Sequence, residues 1–396
     1  MSVHLKPSHL QAAEKFVSKV HASGGLAPID LNKFWEDQAV AMADCFSPQC
    51  PQVPLGISMD PECVFDELNV SPNYYRLAHD PIYKQSLVKR YNDKAEQIVG
   101  KRLWSESLPD PERQWPKIKQ LHDIFEAKNI WHSESYWLQE SAHDEDELKT
   151  LLDHVEKRLE NLRAFMLPDN WESEKTRLVG LGEKVPAYRS QRGPVTFAMS
   201  VYGIENLIFT IVDNPGLAGR FRDLTLKAML EYGRVLDEEG GYTPETMPKG
   251  FWWLDDNCAM LTAEMYEFFG YPILEGVFKK YAPGEKDVRY QHSDSDMAQH
   301  LPALQKLGLW IVNFGPNLTV AQIREQMPKA IIQGQLAPYT FRRNEEVNIV
   351  AELIRDYEMS REKRGLQFST AGSVNNGSRL TSLRLIMAAI QECGRY

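Results

Sequence analysis

The second half of the chain alternates short β-rich runs with segments of helical periodicity. Each run has Gly, Asp, Asn or His at or near its end, and the segments between the runs place apolar residues at the i, i+3, i+4 spacing of an amphipathic helix. The runs are GPVTFAMSVYG (193–203), GFWWLDDN (250–257), VRYQHSD (288–294), LWIVNFGPN (309–317), AIIQGQLAP (330–338) and LQFSTAGSV (366–374). Alternating β and α segments predict a parallel sheet.

Two earlier runs, VPLGISM (53–59) and TRLVGLG (176–182), bring the number of strand candidates to eight. Eight parallel strands favour a closed (β/α)8 TIM barrel, in which functional side chains gather at the C-terminal strand ends. An open doubly wound sheet is the alternative, but the chain has neither GxGxxG nor GxxxxGK[ST]. We therefore predict an α/β fold with a barrel.

The first half of the chain is irregular and punctuated by proline. One long helix stands out there, because DEDELKTLLDHVEKRLENLRAFM (144–166) has a single apolar face and acidic residues in its first turn. We predict an N-terminal helical extension at residues 1–50 and the barrel at 51–396, with an irregular, partly helical segment before the regular repeats.

Composition narrows the possible partners. Of the 396 residues, 45 are Lys or Arg and 55 are Asp or Glu, and the net charge of −10 argues against nucleic acid or an anionic membrane surface. No run of 18 apolar residues and no signal-like start occur, so a cytoplasmic location is expected. The five cysteines are too few for a disulfide scaffold. Reduced thiols are favoured over a metal site made from Cys45, Cys50 and Cys63.

The run RYQHSDSD contains the sharpest candidate chemistry. Residues i and i+2 of a strand project to one face, so His292 and Asp294 point together. The pair could ligate a metal, or Asp294 could orient His292 as a proton shuttle. The alternative is a structural hydrogen-bonded pair that merely ends a strand.

Adjacent carboxylates end the run WWLDDNC. Asp255 and Asp256 face opposite ways, and one of them is expected to face the substrate, since buried carboxylates need a cation or donors. Asp256 could instead cap the following helix. The predicted lining of a polar small-molecule site is completed by uncharged polar residues, namely Tyr202, Asn313, Gln335 and Ser373. The isolated histidines are interpreted as solvated or as core-edge residues: His122, His132, His143, His154 and His300.

Six segments in register resemble the uroporphyrinogen decarboxylase superfamily, which includes corrinoid-linked methyltransferases. They are GPVTFAMSVYG, the paired Asp with the helix ending FFGYPIL, QHSDSD, GLWIVNF, IIQGQLAP, and FSTAGSVN with RLIMAAIQECGRY. The resemblance covers about residues 165–396 and implies a (β/α)8 barrel and a possible homodimer. True decarboxylases of the family carry MRQAGR after the first strand, where this chain has GISMDPE (56–62), so tetrapyrrole decarboxylation is not implied.

The methyltransferase branch is similar in a further respect. Its members bind zinc through a His-x-Cys at the fifth strand end and a Cys near the eighth, and this chain has His292, Asp294 and Ser373 at those positions. The resemblance therefore implies zinc or another, harder divalent metal. The chain lacks the DxHxxG cobalamin signature, so a corrinoid would have to be carried by a separate partner protein.

The resulting hypothesis is a methyltransferase that moves a methyl group from a small polar donor to a corrinoid protein. His292, Asp294 and Asp256 are its expected catalytic residues, and His292 and Asp294 its expected metal ligands. The alternative is a carboxy-lyase for a small carboxylate other than uroporphyrinogen, with His292 as the proton donor. A non-catalytic binding protein on a barrel scaffold is the third class considered.

Overall fold

The computed structural model describes residues 5–396, which contain eight strands. They are β1 (Lys128–His132), β2 (Ser135–Gln139), β3 (Ser190–Arg192), β4 (Phe251–Leu254), β5 (Arg289–Ser293), β6 (Ile311–Phe314), β7 (Ile331–Leu336) and β8 (Leu366–Thr370). β1 and β2 form an antiparallel hairpin, and β3 to β8 are parallel strands.

Eighteen α-helices lie in the same described residues. Those before residue 181 are α1 (Pro7–Ala22), α2 (Leu31–Ala43), α3 (Val64–Glu67), α4 (Tyr74–His79), α5 (Pro81–Val99), α6 (Leu121–Ile124), α7 (Glu145–Glu160), α8 (Leu162–Met166) and α9 (Trp171–Gly180). The later ones are α10 (Pro194–Tyr202), α11 (Ile204–Asp213), α12 (Pro215–Glu239), α13 (Ala263–Tyr281), α14 (Leu301–Leu304), α15 (Val320–Gln326), α16 (Pro338–Arg342), α17 (Glu346–Ser360) and α18 (Leu380–Cys393).

The chain divides into two compact units. The first contains residues up to Leu108, Ser293–Leu301 and Ile311–Tyr396, and the second contains Pro109–His292 and Pro302–Trp310. The predicted division of the chain at residue 50 stays a prediction.

The first unit is built on the parallel strands β6, β7 and β8, with Ile311 paired with Ile331 and Gly334 with Phe368. Helix α17 packs on α1 and α18, and α18 packs on α5. The contact faces of α17 and α18 are fully buried aliphatic side chains, including Ile349, Leu353, Ile386 and Ile390. Helix α17 of this core also packs on β7 and β8.

The predicted strand at 53–59 is a short extended segment of the first unit. The N–H of Gly56 donates to the Phe368 carbonyl (2.7 Å), and the N–H of Phe368 donates to the Pro54 carbonyl (2.8 Å). Leu55 thereby forms a parallel bridge with Phe368. The ladder is short because Pro54 has no N–H to donate.

The second unit contains β3, β4 and β5, paired in parallel in that order. The helix predicted at 144–166 is confirmed as α7 followed by α8, with Leu148, Leu151 and Val155 buried along its apolar face. The Asp144 carboxylate begins α7 by accepting the N–H groups of Asp146 and Glu147. An acceptor at this position satisfies N–H groups that have no partner within the helix.

Two strand predictions are wrong. Residues 176–180 belong to α9, whose first turn carries Glu172 and Glu174 and which buries Leu178, so the amphipathic helical pattern prevails over the β-branched residues. The run 193–203 is helix α10, and the strand of that region is the preceding β3. Pro194 occupies the first turn of α10, where its missing N–H has no cost.

No single helix between residues 5 and 396 is both long and apolar enough to cross a membrane. One bent pair, α10 with α11, meets the length and composition test only when its two members are taken together.

Candidate functional site

Asp255, which follows β4, is completely buried and binds the first turn of α10. Its Oδ1 accepts the N–H of Thr196 (2.8 Å), and the Thr196 hydroxyl accepts the N–H of Asn257 (2.9 Å). Gly193 is required at this junction, because a Cβ there would overlap the Asp255 side chain. Asp255 therefore fixes α10 on the end of β4.

Burial also sets the protonation of Asp255. Removal of the carboxylate from water raises its pKa to about 6, against the opposing effect of the hydrogen bonds from Thr196 and Val195. A carboxylate at a helix N-terminus is favourable, but a fully buried one lacks the hydration of its charge. The expected substrate-binding role of Asp255 remains a prediction.

Asp256, the next residue, is half-buried. The alternative that it caps the next helix does not apply, since its side chain makes no cap hydrogen bond and Thr262 caps α13 by accepting the N–H of Met265. Asp256 and His292 each offer a ligand atom, and these atoms lie within 4.8 Å of each other. The two residues belong to the ends of neighbouring strands of the second unit.

Backbone pairing holds His292 at this position. The N–H of Asp255 donates to the His292 carbonyl (2.9 Å), and the β4–β5 register pairs Leu254 with His292. The half-buried imidazole alternates with Gln291 and Ser293, which are completely buried. An imidazole beside a carboxylate can ligate a metal or transfer a proton.

Asp294, in the first unit, is exposed and bound to the loop that follows β8. Its carboxylate accepts the N–H (3.2 Å) and the hydroxyl (3.4 Å) of Ser373. Gly372 has φ +118°, and a Cβ there would collide with the Asp294 carboxylate. The structure thus pairs two residues that the sequence placed at separate strand ends, and Ser373 orients Asp294.

Asn313 and Gln335 lie in the first unit, and both are nearly fully buried. The Asn313 amide donates to the carbonyls of Gln333 (2.6 Å) and Thr370 (2.8 Å). The Gln335 amide donates to the carbonyls of Gly315 (3.2 Å) and Leu318 (2.9 Å). These hydrogen bonds join strands and loops to each other, which is a structural use of the two side chains.

Tyr202 does not lie at a strand end, because it is the last residue of α10. The ring is buried, and its hydroxyl shares a hydrogen bond with Thr210 of α11 (3.1 Å). The premise for its place in the site lining is therefore wrong, although no observation tests the binding role itself.

The buried cysteines are thiols. Burial raises the pKa of Cys45 and of Cys63 to about 12, so neither is a thiolate near neutral pH. Cys258 donates its S–H to the Asp255 carbonyl (2.8 Å). All five cysteines are unpaired with one another, as predicted for a chain without a disulfide scaffold.

The sequence interpretation missed Arg192 and His122 as candidate site residues. Both line a pocket of about 120 Å³ in the second unit, together with Asn129, Leu138, Gln191 and Phe197. Arg192 was missed because the predicted strand began at residue 193, one residue after the strand that the structure shows. Reading SQR as the strand, with Gly-Pro as the start of a helix, would have placed Arg192 at a strand end.

A sequence family and a set of solved structures relate the chain to known proteins. Residues 159–393 match the sequence model of the family described as uroporphyrinogen decarboxylase. No curated protein sequence matches. Among solved structures, a methyltransferase from Methanosarcina mazei is similar with a TM-score of 0.53 and 12% identity, over 90% of this chain and 97% of that one. This likeness concerns the fold, and with the family match it confirms the predicted (β/α)8 class.

Proposed function

The chain belongs to the uroporphyrinogen decarboxylase family, and from this we propose that it is a methyltransferase acting on a small polar methyl donor. Asp256 and His292, two potential ligands within 4.8 Å at neighbouring strand ends, carry the proposal. In barrels of this class, side chains at the C-terminal strand ends perform the chemistry.

The proposed metal ligands are Asp256, His292 and Asp294. Asp294 follows His292 by two residues along the chain. One imidazole and two carboxylates suit zinc or a harder divalent metal better than they suit a soft metal ion that prefers thiolate ligands. The Ser373 hydrogen bonds would orient the Asp294 oxygens toward this role.

A divalent metal held there would polarise the leaving oxygen, nitrogen or sulfur of the donor. His292 and Asp256 would hold this metal next to the leaving group, and the half-buried setting of both residues limits water. The methyl acceptor is proposed to be a corrinoid on a separate protein, since the chain has no DxHxxG segment.

Metal content tests the proposal. Purified protein incubated with zinc and then desalted is expected to retain about one equivalent, to lose it in His292→Ala, and to lose most of it in Asp256→Asn. His154→Ala is the matched control, because His154 lies beside Glu126 on the exposed side of α7 (3.0 Å) and should leave the metal content unchanged. Equal metal content in wild type and His292→Ala would contradict the proposed site.

A carboxy-lyase is the second candidate, favoured by the same proximity of His292 and Asp256. An imidazole next to a carboxylate can deliver a proton to carbon without a metal. Activity on a small carboxylate in chelator-treated, metal-free protein would select this candidate over methyl transfer.

A further inference from the structure

Arg192, the last residue of β3, is in register with His292 of β5 through Leu254 of β4. The parallel register pairs Arg192 with Leu254, and Leu254 with His292. Residues in register on parallel strands project to the same face, so the guanidinium and the imidazole rise from one face, two strands or roughly 10 Å apart. Leu254 between them is 44% exposed, which shows that this face is open at the strand ends.

The guanidinium of Arg192 is half-buried yet poorly paired. It has five N–H donors, and one of its nitrogens, Nη1, donates to the Ser200 hydroxyl (3.1 Å). Within residues 5–396, no carboxylate lies within ion-pair distance of it. Burial lowers the pKa of Arg192, and the more distant charge of Asp256 opposes this shift.

Arg189, three residues earlier, shows what a structural arginine looks like in this unit. It donates to both carboxylate oxygens of Asp237 (2.7 and 2.8 Å) and to the carbonyls of Pro248 (2.8 Å) and Tyr188 (2.6 Å). Its donors are therefore used within the protein, whereas most of those of Arg192 are not. A partly desolvated cation with unused donors is unfavourable unless a ligand completes it.

The pocket beside Arg192 defines what such a ligand can be. Its volume of about 120 Å³ equals roughly four water molecules, enough for a carboxylate and a few further atoms. Phe197 and Leu138 supply apolar walls, and the Asn129 and Gln191 amides and the His122 ring supply hydrogen-bonding groups. Burial also lowers the pKa of His122, although the nearby charge of Asp123 acts in the opposite direction. The lowered pKa favours the neutral ring.

We propose that Arg192 binds the carboxylate of the substrate in this pocket, so that the substrate is a small carboxylic acid whose other end reaches His292. The planar guanidinium matches a carboxylate through two parallel hydrogen bonds. For the reaction proposed above, this names the donor as a methylated carboxylic acid. That assignment of the donor rests on the proposed function, while carboxylate binding by Arg192 does not.

Calorimetric binding of acid and amide pairs tests the inference. The probes are acetate against acetamide and methoxyacetate against methoxyacetamide, which differ in charge and hardly in size. The wild type is expected to prefer at least one acid over its amide by about tenfold or more. Arg192→Gln should remove the preference, and Arg192→Lys should keep part of it, since lysine retains the charge without the planar geometry.

Arg222→Gln is the matched control, because Arg222 is also half-buried and lies in the second unit, where it pairs with Asp223 (2.7 Å). It should retain the full preference. A wild type with no preference for either acid, or an Arg192→Gln variant that keeps the preference, would overturn the inference.

Metal content of the same preparations separates the two proposals. If the protein binds metal through His292 but does not prefer the acids, the proposed carboxylate site is contradicted and the proposed metal site is not. Protein that binds no metal but prefers the acid in an Arg192-dependent way supports the carboxylate site and contradicts the proposed metal chemistry.

Discussion

Polar side chains at or near the strand ends are satisfied by their neighbours to very different extents, as three residues of the first unit and Arg192 of the second unit show. In the first unit, Asn313 and Gln335 each donate to two backbone carbonyls, and Arg355 of helix α17, which donates to the Gln335 carbonyl, forms a buried pair with Asp356. In the second unit, Arg192 makes a single side-chain hydrogen bond. Polar residues at strand ends therefore have different roles. A structural residue has its hydrogen-bonding groups used by neighbours in the protein, whereas a binding residue keeps them for a ligand.

The largest expected effect is on the buried pair of the first unit. Arg355 Nε donates to Asp356 (2.7 Å) and its Nη2 to the Gln335 carbonyl (2.9 Å). Arg355→Ala leaves Asp356 as a buried, unpaired carboxylate, and we expect a loss of about 3–5 kcal/mol in the free energy of unfolding by urea. The exposed pair Arg76–Asp80 is the control, since Arg76→Ala should cost less than about 1 kcal/mol. Equal losses of unfolding free energy in both variants would contradict the structural role of the Arg355–Asp356 pair.

Asp255 gives the second effect, as a dependence of stability on pH. Its pKa is raised from 3.8 to about 6 in the folded protein, so the folded state holds a proton that the unfolded state has released across this interval. Its contribution to stability is complete below pH 3.8 and is lost as the pH rises through about 6. The loss is roughly 1–3 kcal/mol.

Asp255→Asn keeps an oxygen acceptor for the Thr196 N–H but does not titrate. The difference in unfolding free energy between this variant and the wild type should therefore grow in favour of the variant between pH 4 and pH 6. Parallel pH curves for the two proteins would show that the folded-state pKa of Asp255 is not raised.

Much of this fold could be predicted from periodicity alone, because β4 to β8 are short apolar runs separated by amphipathic helices. The run 193–203 was predicted wrongly although Gly193-Pro194 is a local helix-start signal, because the helical start also depends on Asp255, which lies 59 residues from its partner Thr196. A carboxylate this distant in sequence leaves no local signal at the helix it stabilises. Local β propensity then dominates the sequence pattern and predicts a strand.

The site was predictable to the extent that its residues alternate along a strand. The two-residue period of a strand predicts that His292 faces away from Gln291 and Ser293, and the greater exposure of His292 agrees with that. Asn313 looked the same in sequence as a site residue, but hydrogen bonds to Gln333 and Thr370 use its amide. The residue type tells which hydrogen bonds a side chain can form, and only the fold shows which partner it forms them with.

Asn313 provides the third prediction. Asn313→Ala removes two hydrogen bonds that cross from β6 to the Gln333 and Thr370 carbonyls, and the loss should be about 1–3 kcal/mol in urea unfolding. Binding of acetate relative to acetamide should not change, since the residue does not line the Arg192 pocket. A folded Asn313→Ala protein of unchanged stability that loses the acid preference would move Asn313 to the binding side of the comparison.

The smallest change in stability is expected at Arg192, where the binding effect is largest. Arg192→Met removes one hydrogen bond to Ser200 and also the cost of holding a partly desolvated, unpaired cation, so these two contributions oppose each other. The free energy of unfolding should stay within about 1 kcal/mol of the wild type in the absence of ligand. Saturating methoxyacetate should then stabilise the wild type and leave the variant unchanged, because a ligand stabilises only the protein that binds it. A loss in Arg192→Met as large as that in Arg355→Ala would mean that the protein itself already satisfies Arg192, and the contrast between the two sets of strand ends would disappear.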